Sequence, residues 1–162
     1  MFLWFLASGC SIIKNIESYK KFKILINLVN THPSGSLGFQ MDIPEELYTK
    51  SRIFKDLDVN SDNNRKSGQL VGGIFFLRKC SKSIELVDSY YMTSQKLELI
   101  NNDYDRNEEI KEFIAPRNDQ SIFSLLRKKF NSLLIPDTTW FSNFNTPQAL
   151  SNPILATRVR II

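Results

Sequence analysis

Three short stretches combine residue types that chemistry uses. Gln69-Leu70-Val71-Gly72-Gly73-Ile74-Phe75-Phe76-Leu77 sets two glycines inside an apolar run. Glycines within a strand give up side-chain packing and let a ligand or another backbone come close. A bulge, or a helix packed tightly on the sheet, would need the same pair. Arg117-Asn118-Asp119-Gln120-Ser121 opens a helical pattern, and backbone N–H groups and the helix dipole make that place suited to polar ligands. Asp119 and Gln120 would there accept from and donate to sugar hydroxyls, or Asp119 would only stabilise the first turn. Asp103-Tyr104-Asp105 places two carboxylates one residue apart. Such a pair could hold a divalent cation, Mn²⁺ or Mg²⁺, against a diphosphate, or be a solvated pair in a charged loop.

Weaker signals follow. Arg158 and Arg160 alternate on a strand pattern and so share one face, either against phosphate or on the wet side of an edge strand. Asp58-Val59-Asn60-Ser61-Asp62 begins like a calcium loop, but Asn63 stands where the turn needs Gly and Gln69 where the bidentate Glu belongs. His32 is the one histidine, so a Ser-His or Cys-His site has a single possible base; its Thr31-His32-Pro33-Ser34-Gly35 setting reads as a solvated turn. Cys10 and Cys80 are too few for a disulfide framework and lack metal-ligand spacing, which points to reduced thiols in a cytoplasmic protein.

Elements must position these groups. Residues 14–30 predict a helix with Ile16, Tyr19, Phe22, Ile26 and Val29 as its apolar stripe. A short strand is expected over 36–41, and a second helix over 44–57, opened by Pro44 with Glu45 and Glu46 in its first turn. Residues 58–68 read as a polar loop and Leu70–Leu77 as a strand buried on both faces. Ser81 or Ser83 then caps a helix to about residue 97, with Ile84, Val87 and Tyr91 inward. Residues 101–117 are irregular and charged. A helix over 119–130 buries Ile122, Leu125, Leu126 and Phe130, and short strands follow near 133–135 and 155–161. Alternating strands and helices predict an α/β architecture, in which ligands bind beyond the carboxyl ends of the strands.

The bulk numbers fit one domain over 1–162, with 42% hydrophobic residues, 23% charged and 12 Phe to build the core. The net charge of +4 is spread along the chain, so no nucleic-acid footprint is expected. No apolar run approaches the ~20 residues of a membrane span. Met1 to Cys10 reads either as a short lipoprotein-like leader ending in Leu6-Ala7-Ser8-Gly9-Cys10 or as a buried strand, Phe2 to Leu6. An abruptly apolar first strand suggests sequence upstream, or a partner chain that completes the sheet.

Five blocks in order resemble a group of bacterial and viral polysaccharide-type sugar transferases of the GT-A kind. They are Leu6-Ala7-Ser8-Gly9-Cys10, the Gln69–Phe76 run, Arg117-Asn118-Asp119-Gln120-Ser121 with the helix to Lys129, Ile135-Pro136-Asp137-Thr138-Thr139-Trp140-Phe141, and Ala156-Thr157-Arg158-Val159-Arg160. The resemblance implies a partial GT-A-like mixed sheet flanked by helices, the C-terminal portion of a larger catalytic unit. It also implies transfer of a sugar from a nucleotide-sugar donor to a glycan acceptor. In that frame Asp119 would be catalytic, and Gln120, Gln69, Gly72, Gly73, Arg117 and Arg158 would contact substrate. The family's metal carboxylate is not visibly supplied by this sequence, so the metal ligand is left unassigned, with Asp103 and Asp105 as candidates. Several polar positions depart from the pattern. The strand-end Asp of the family's Leu-Asp-Ala-Gly-Cys falls on Ala7, its Glu-His-Arg-His reads Ala115-Pro116-Arg117-Asn118, the acid of Pro-Asp-Glu-Thr-Trp-Phe is Thr138, and that of Thr-Lys-x-Asp is Arg52. Core and glycine positions match while acids are lost, so a truncated or inactive transferase, or a non-catalytic binding or assembly module of the same fold, is the alternative expectation.

Overall fold

The structure, a computed structural model, describes residues 1–7 and 9–157. Its elements run β1 (Phe2–Leu6), β2 (Ser11–Ile12), α1 (Ile16–Thr31), β3 (Ser36–Pro44), α2 (Ser51–Asp56), α3 (Asp62–Lys66), β4 (Gly68–Arg78), α4 (Ser81–Ser94), α5 (Leu97–Ile100), α6 (Asn118–Lys129), β5 (Leu133–Pro136), α7 (Pro147–Leu150) and β6 (Ile154–Leu155). Strands β1, β4, β3 and β5 form one mixed sheet in that order. β4 pairs antiparallel with both β1 and β3, and β5 runs parallel to β3. β2 and β6 make a separate two-stranded ladder. The chain is therefore mixed α/β, a sheet with helices on both faces.

The strand period of two explains the layers. On β4, Ile74 and Phe76 join Leu37 and Phe39 of β3 against Leu25 and Val29 of α1. The alternate residues, Phe75 and Leu77, meet Ile122, Phe123 and Leu126 of α6 and Leu86 of α4. Phe75 stands 4.9 Å from Phe123 edge-on, and Tyr90 4.7 Å from Phe123, so rings knit this layer. The expected burial of β4 on both faces holds.

β4 is not regular. Gly38 pairs with Phe75 and Gln40 with Leu70, so β4 spends more residues than β3 between these points and bulges at Val71-Gly72-Gly73. The carbonyls that the bulge frees find other donors. Leu70 O accepts from Gln120 Nε2 at 3.0 Å and Val71 O from Arg127 Nη2 at 3.0 Å, while on the other side Gly73 O accepts from Ala7 N at 2.8 Å and prolongs the β1–β4 ladder. A Cβ on Gly72 would lie 2.9 Å from Gln120 Cγ, and one on Gly73 3.1 Å from Ala7 Cβ. Both glycines are thus explained by the bulge and by close packing.

Four expectations are corrected. In α1, Ile16 and Tyr19 are 66% and 55% exposed, and the inner face is Ser18, Leu25 and Val29. The first turn of α1 overhangs the sheet, so only its later turns reach the β3–β4 surface. In α4, Ile84, Val87 and Tyr91 face solvent while Ser83, Leu86 and Thr93 are buried. Both sets recur at helical spacing, and the cap selects between them. Cys80 is the N-cap, with Ser83 Oγ accepting from Cys80 N at 3.0 Å. The helix expected over 44–57 is broken, because Pro44 ends β3, Glu45–Leu47 make a 3-10 turn, and α2 starts at Ser51. Glu45, expected in the first turn of that helix, lies in the 3-10 turn and is 0% exposed. Finally, β1 is an edge strand with Leu3, Trp4 and Phe5 40–57% exposed, not a buried one. His32 is half-buried at the end of α1, its Nδ1 2.8 Å from Ser34 Oγ.

The turn after α1 rests on Gly35, at φ +61°, where a Cβ would meet Arg78 O and Cys80 Sγ, each at 2.7 Å. Gly35→Ala is therefore expected to cost about 2 kcal/mol or more, combining left-handed strain with overlap. Urea unfolding measures it, and an unchanged midpoint would contradict the packing described. Among the described residues no helix is long and apolar enough to cross a membrane.

Candidate functional site

A concavity lies at one end of the sheet. It is a cleft of about 890 Å³ where the last residues of β3, the last of β5 and the first of β4 meet the N-terminus of α6. The end is the carboxyl side of the parallel pair β3–β5, the position at which α/β sheets bind ligands. Gln40, Met41, Asp42 and Ile43 form one wall, Leu134 to Asp137 with Thr139 and Trp140 another, and Gly72, Arg117 and Gln120 a third.

Local structure explains each wall. Asp137 N donates to Gln40 O at 2.8 Å and prolongs the parallel ladder past Pro136. Asp137 Oδ1 then accepts from Thr139 N at 2.8 Å and Thr139 Oγ1 at 2.7 Å, a side-chain turn that bends the chain back. Thr139 is buried by this turn and Trp140 is thrown outward, 61% exposed on the cleft rim. Thr138 points to solvent. On the opposite wall the Arg117 guanidinium lies 3.7 Å over the Tyr48 ring and its Nη1 donates to Gln69 Oε1 at 3.1 Å. Gly72 lies on the cleft floor, with Gln120 folded over it.

Beneath this floor sits a buried polar network. Gln69 is 0% exposed and does not line the cleft. Its Nε2 donates to Glu45 Oε2, Thr49 Oγ1 and Ser121 Oγ at 3.1, 3.3 and 3.2 Å. Glu45 Oε1 accepts from Lys128 Nζ at 2.7 Å and from Ser124 Oγ. Burial holds the Lys128 ammonium below its ordinary pKa, against the upward pull of the Glu45 charge.

The charges lining the cleft balance, with Arg117 and Lys66 against Asp42 and Asp137. Lys66 is already paired with Asp62 at 2.9 Å, and that hydrogen bond and charge raise its pKa.

Of the residues the sequence singled out, the structure brings Gly72, Arg117 and Gln120 together in the cleft and puts Gln69 directly below. Gly73 turns toward Ala7 instead. Asp119 is exposed and outside the cleft lining; its charge adds to burial in raising the Tyr90 phenol, which places it on the α4 side. Asp103 accepts from Asn101 Nδ2 at 2.9 Å, and Asp105 caps a 3-10 turn by accepting from Asn107 N at 2.9 Å. Neither belongs to a group of three or more His, Cys, Asp or Glu side chains among the described residues. Arg158 lies outside the described residues. Arg52 pairs with Glu108 at 3.6 Å. Sequence reasoning missed Asp42, Gln40 and Trp140 as site residues; only Trp140 carried a signal, through the Ile135–Phe141 block. No family model, no curated protein and no solved structure matches the chain.

Proposed function

We propose that this chain is a glycosyltransferase-like domain that holds a sugar in the cleft at the ends of β3 and β5. The observation that carries the reading is the convergence of Arg117 and Gln120 with Trp140, Asp42 and Asp137 on one cleft. A pyranose has hydroxyls that both donate and accept, and C–H faces that stack on rings. The cleft supplies guanidinium and amide donors, carboxylate and amide acceptors, and an exposed indole. The apolar stretch of Met41, Ile43, Leu134 and Ile135 excludes water from the faces of the ring. The ordered sequence blocks support the finer reading, in which a nucleotide sugar is the donor, a glycan the acceptor and the sheet GT-A-like. Asp119 does not line the cleft, so that reading gives it no contact with a sugar held there.

A thermal melt with free sugars and with UDP-, GDP- and CDP-sugars, with and without Mn²⁺, tests the reading. Binding to the folded state alone raises the midpoint, by ~2.7 kcal/mol of stabilisation at a hundredfold excess over Kd. Trp140→Ala is expected to weaken that binding at least about tenfold, or ~1.4 kcal/mol, while leaving the ligand-free midpoint in place because the ring is 61% exposed. A cooperative melt that no sugar or nucleotide sugar moves would sink the proposal.

A second reading, a non-catalytic binding or assembly module, is favoured by the exposed apolar edge strand β1. Sugar binding without turnover in the full-length protein would select it.

A further inference from the structure

The buried network under the cleft decides which polar atoms reach the ligand. A Gln side chain can sit either way round, so the neighbours of Gln69 settle its orientation. Glu45, held by Lys128 at 2.7 Å, offers only acceptors at Oε2, so the Gln69 nitrogen faces it at 3.1 Å. The carbonyl Oε1 must then point up, and Arg117 Nη1, which can only donate, meets it at 3.1 Å. Gln120 Nε2 donates to Gln69 Oε1 at 3.4 Å and to Leu70 O at 3.0 Å. The Leu70 carbonyl, freed by the β4 bulge, can only accept, so it holds the Gln120 nitrogen inward. Both N–H bonds of Gln120 are spent below, and the group it has left for the cleft is Oε1. Arg117 spends one N–H on Gln69, and the rest of its fork is left for a ligand.

We propose that Glu45 and Gln69 are positioning residues that fix a donor–acceptor pair, Arg117 N–H beside Gln120 Oε1, and that this pair takes an uncharged sugar hydroxyl in preference to a carboxylate or phosphate. The inference rests on the sugar reading above. A hydroxyl accepts from Arg117 and gives its proton to Gln120. An anion would accept from Arg117 but set its lone pairs against Gln120 Oε1, in a cleft that also carries Asp42 and Asp137.

The test uses side-chain amide and guanidinium NMR of the labelled chain, with methyl glucoside, methyl galactoside, methyl mannoside, glucuronate and inorganic phosphate as probes. Without ligand, the Gln120 NH₂ protons are expected to exchange slowly and show cross-peaks to the Gln69 side chain. At least one neutral glycoside should shift the Arg117 and Gln120 signals at a concentration tenfold below that needed by glucuronate or phosphate. Gln120→Lys, which swaps the acceptor for a donor on a half-buried site, should reverse that preference. The paired variant Glu45→Gln/Lys128→Gln keeps the network uncharged and lets Gln69 turn; it should still melt cooperatively yet lose the slow exchange and the tenfold discrimination. A freely exchanging Gln120 amide in a chain that binds sugar overturns the positioning role and leaves the sugar reading standing. A protected amide in a chain that binds no sugar overturns the ligand preference together with the sugar reading. Equal or tighter binding of glucuronate or phosphate at Arg117 and Gln120 overturns the preference alone.

Discussion

Glu45→Ala is expected to lower the unfolding free energy by about 3–5 kcal/mol, a large part of the 5–15 kcal/mol of a typical domain. The carboxylate is 0% exposed and accepts from Thr49, Gln69, Ser124 and Lys128. Its loss leaves the Lys128 ammonium, with a side chain 9% exposed, only the Ser67 hydroxyl at 2.7 Å. An unpaired buried charge costs more than the pair contributed. Glu45→Ala with Lys128→Met should therefore recover part of the loss, although each change alone removes a partner. The pH dependence has a definite sign. Burial places the folded pKa of Lys128 below its ordinary 10.5. The unfolded chain then binds this proton more tightly, so this group's contribution to stability rises with pH between the folded value and 10.5. Without the Glu45 charge the folded value falls further and the window widens on its lower side. The deficit of Glu45→Ala against the wild type should shrink from pH 7 toward pH 10 (~). Urea unfolding at several pH values measures both effects. A loss below about 1 kcal/mol, or a deficit that grows with pH, would contradict a buried ion pair.

What could be read from sequence was local. The Leu70–Leu77 run, the helix that buries Ile122, Leu125 and Leu126, the strand near 133–135 and the charged loop over 101–117 all declared themselves through composition and period. The helices that failed did so for tertiary reasons. α1 and α4 each carry two sets of residues at helical spacing, and which one faces the sheet depends on where the cap starts the helix and how far it overhangs. Glu45 looked like a helix-start acid because its partner Lys128 is 83 residues away. The candidate site divides in the same way. Gly72, Arg117 and Gln120 were legible because a glycine pair and a helix N-terminus are signals within a few residues. Trp140 was marked only by the Ile135–Phe141 block, and Asp42, Gln40 and the buried role of Gln69 were not legible, because only the parallel pairing of β3 with β5 and the bulge in β4 bring them to one place.

Arg127 carries the second large effect, and its sign is the opposite of the usual one for a buried residue. The side chain is 0% exposed. Nη2 donates to Val71 O at 3.0 Å and Nε to Phe123 O at a long 3.4 Å, while Nη1 is buried without a partner. The guanidinium lies 4.6 Å from the Phe123 ring centre and 5.7 Å from that of Phe75. Burial pulls its pKa down to about 9, against the upward pull of Glu45 and Tyr90. Taking this charge out of water costs several kcal/mol, whereas one good charged hydrogen bond and a desolvated ring contact return about 2 kcal/mol each. Arg127→Met, which keeps the volume, is thus expected to leave stability unchanged or raise it by about 1–3 kcal/mol at pH 7, the orphaned Val71 carbonyl setting the lower end. Arg127→Ala, which opens a cavity against Gly38 and Leu70, should instead lose about 2–5 kcal/mol. The folded pKa lies below the ordinary value of a guanidinium, so wild-type stability gains a component that rises with pH above about 9, and Arg127→Met should lack it. Guanidinium chloride unfolding from pH 7 upward reads the three chains side by side. A clear loss in Arg127→Met would mean that the Val71 carbonyl and the two rings hold the bulge together more strongly than the buried charge opposes it. The same residue would then be the one that shapes the Gly72 floor of the cleft.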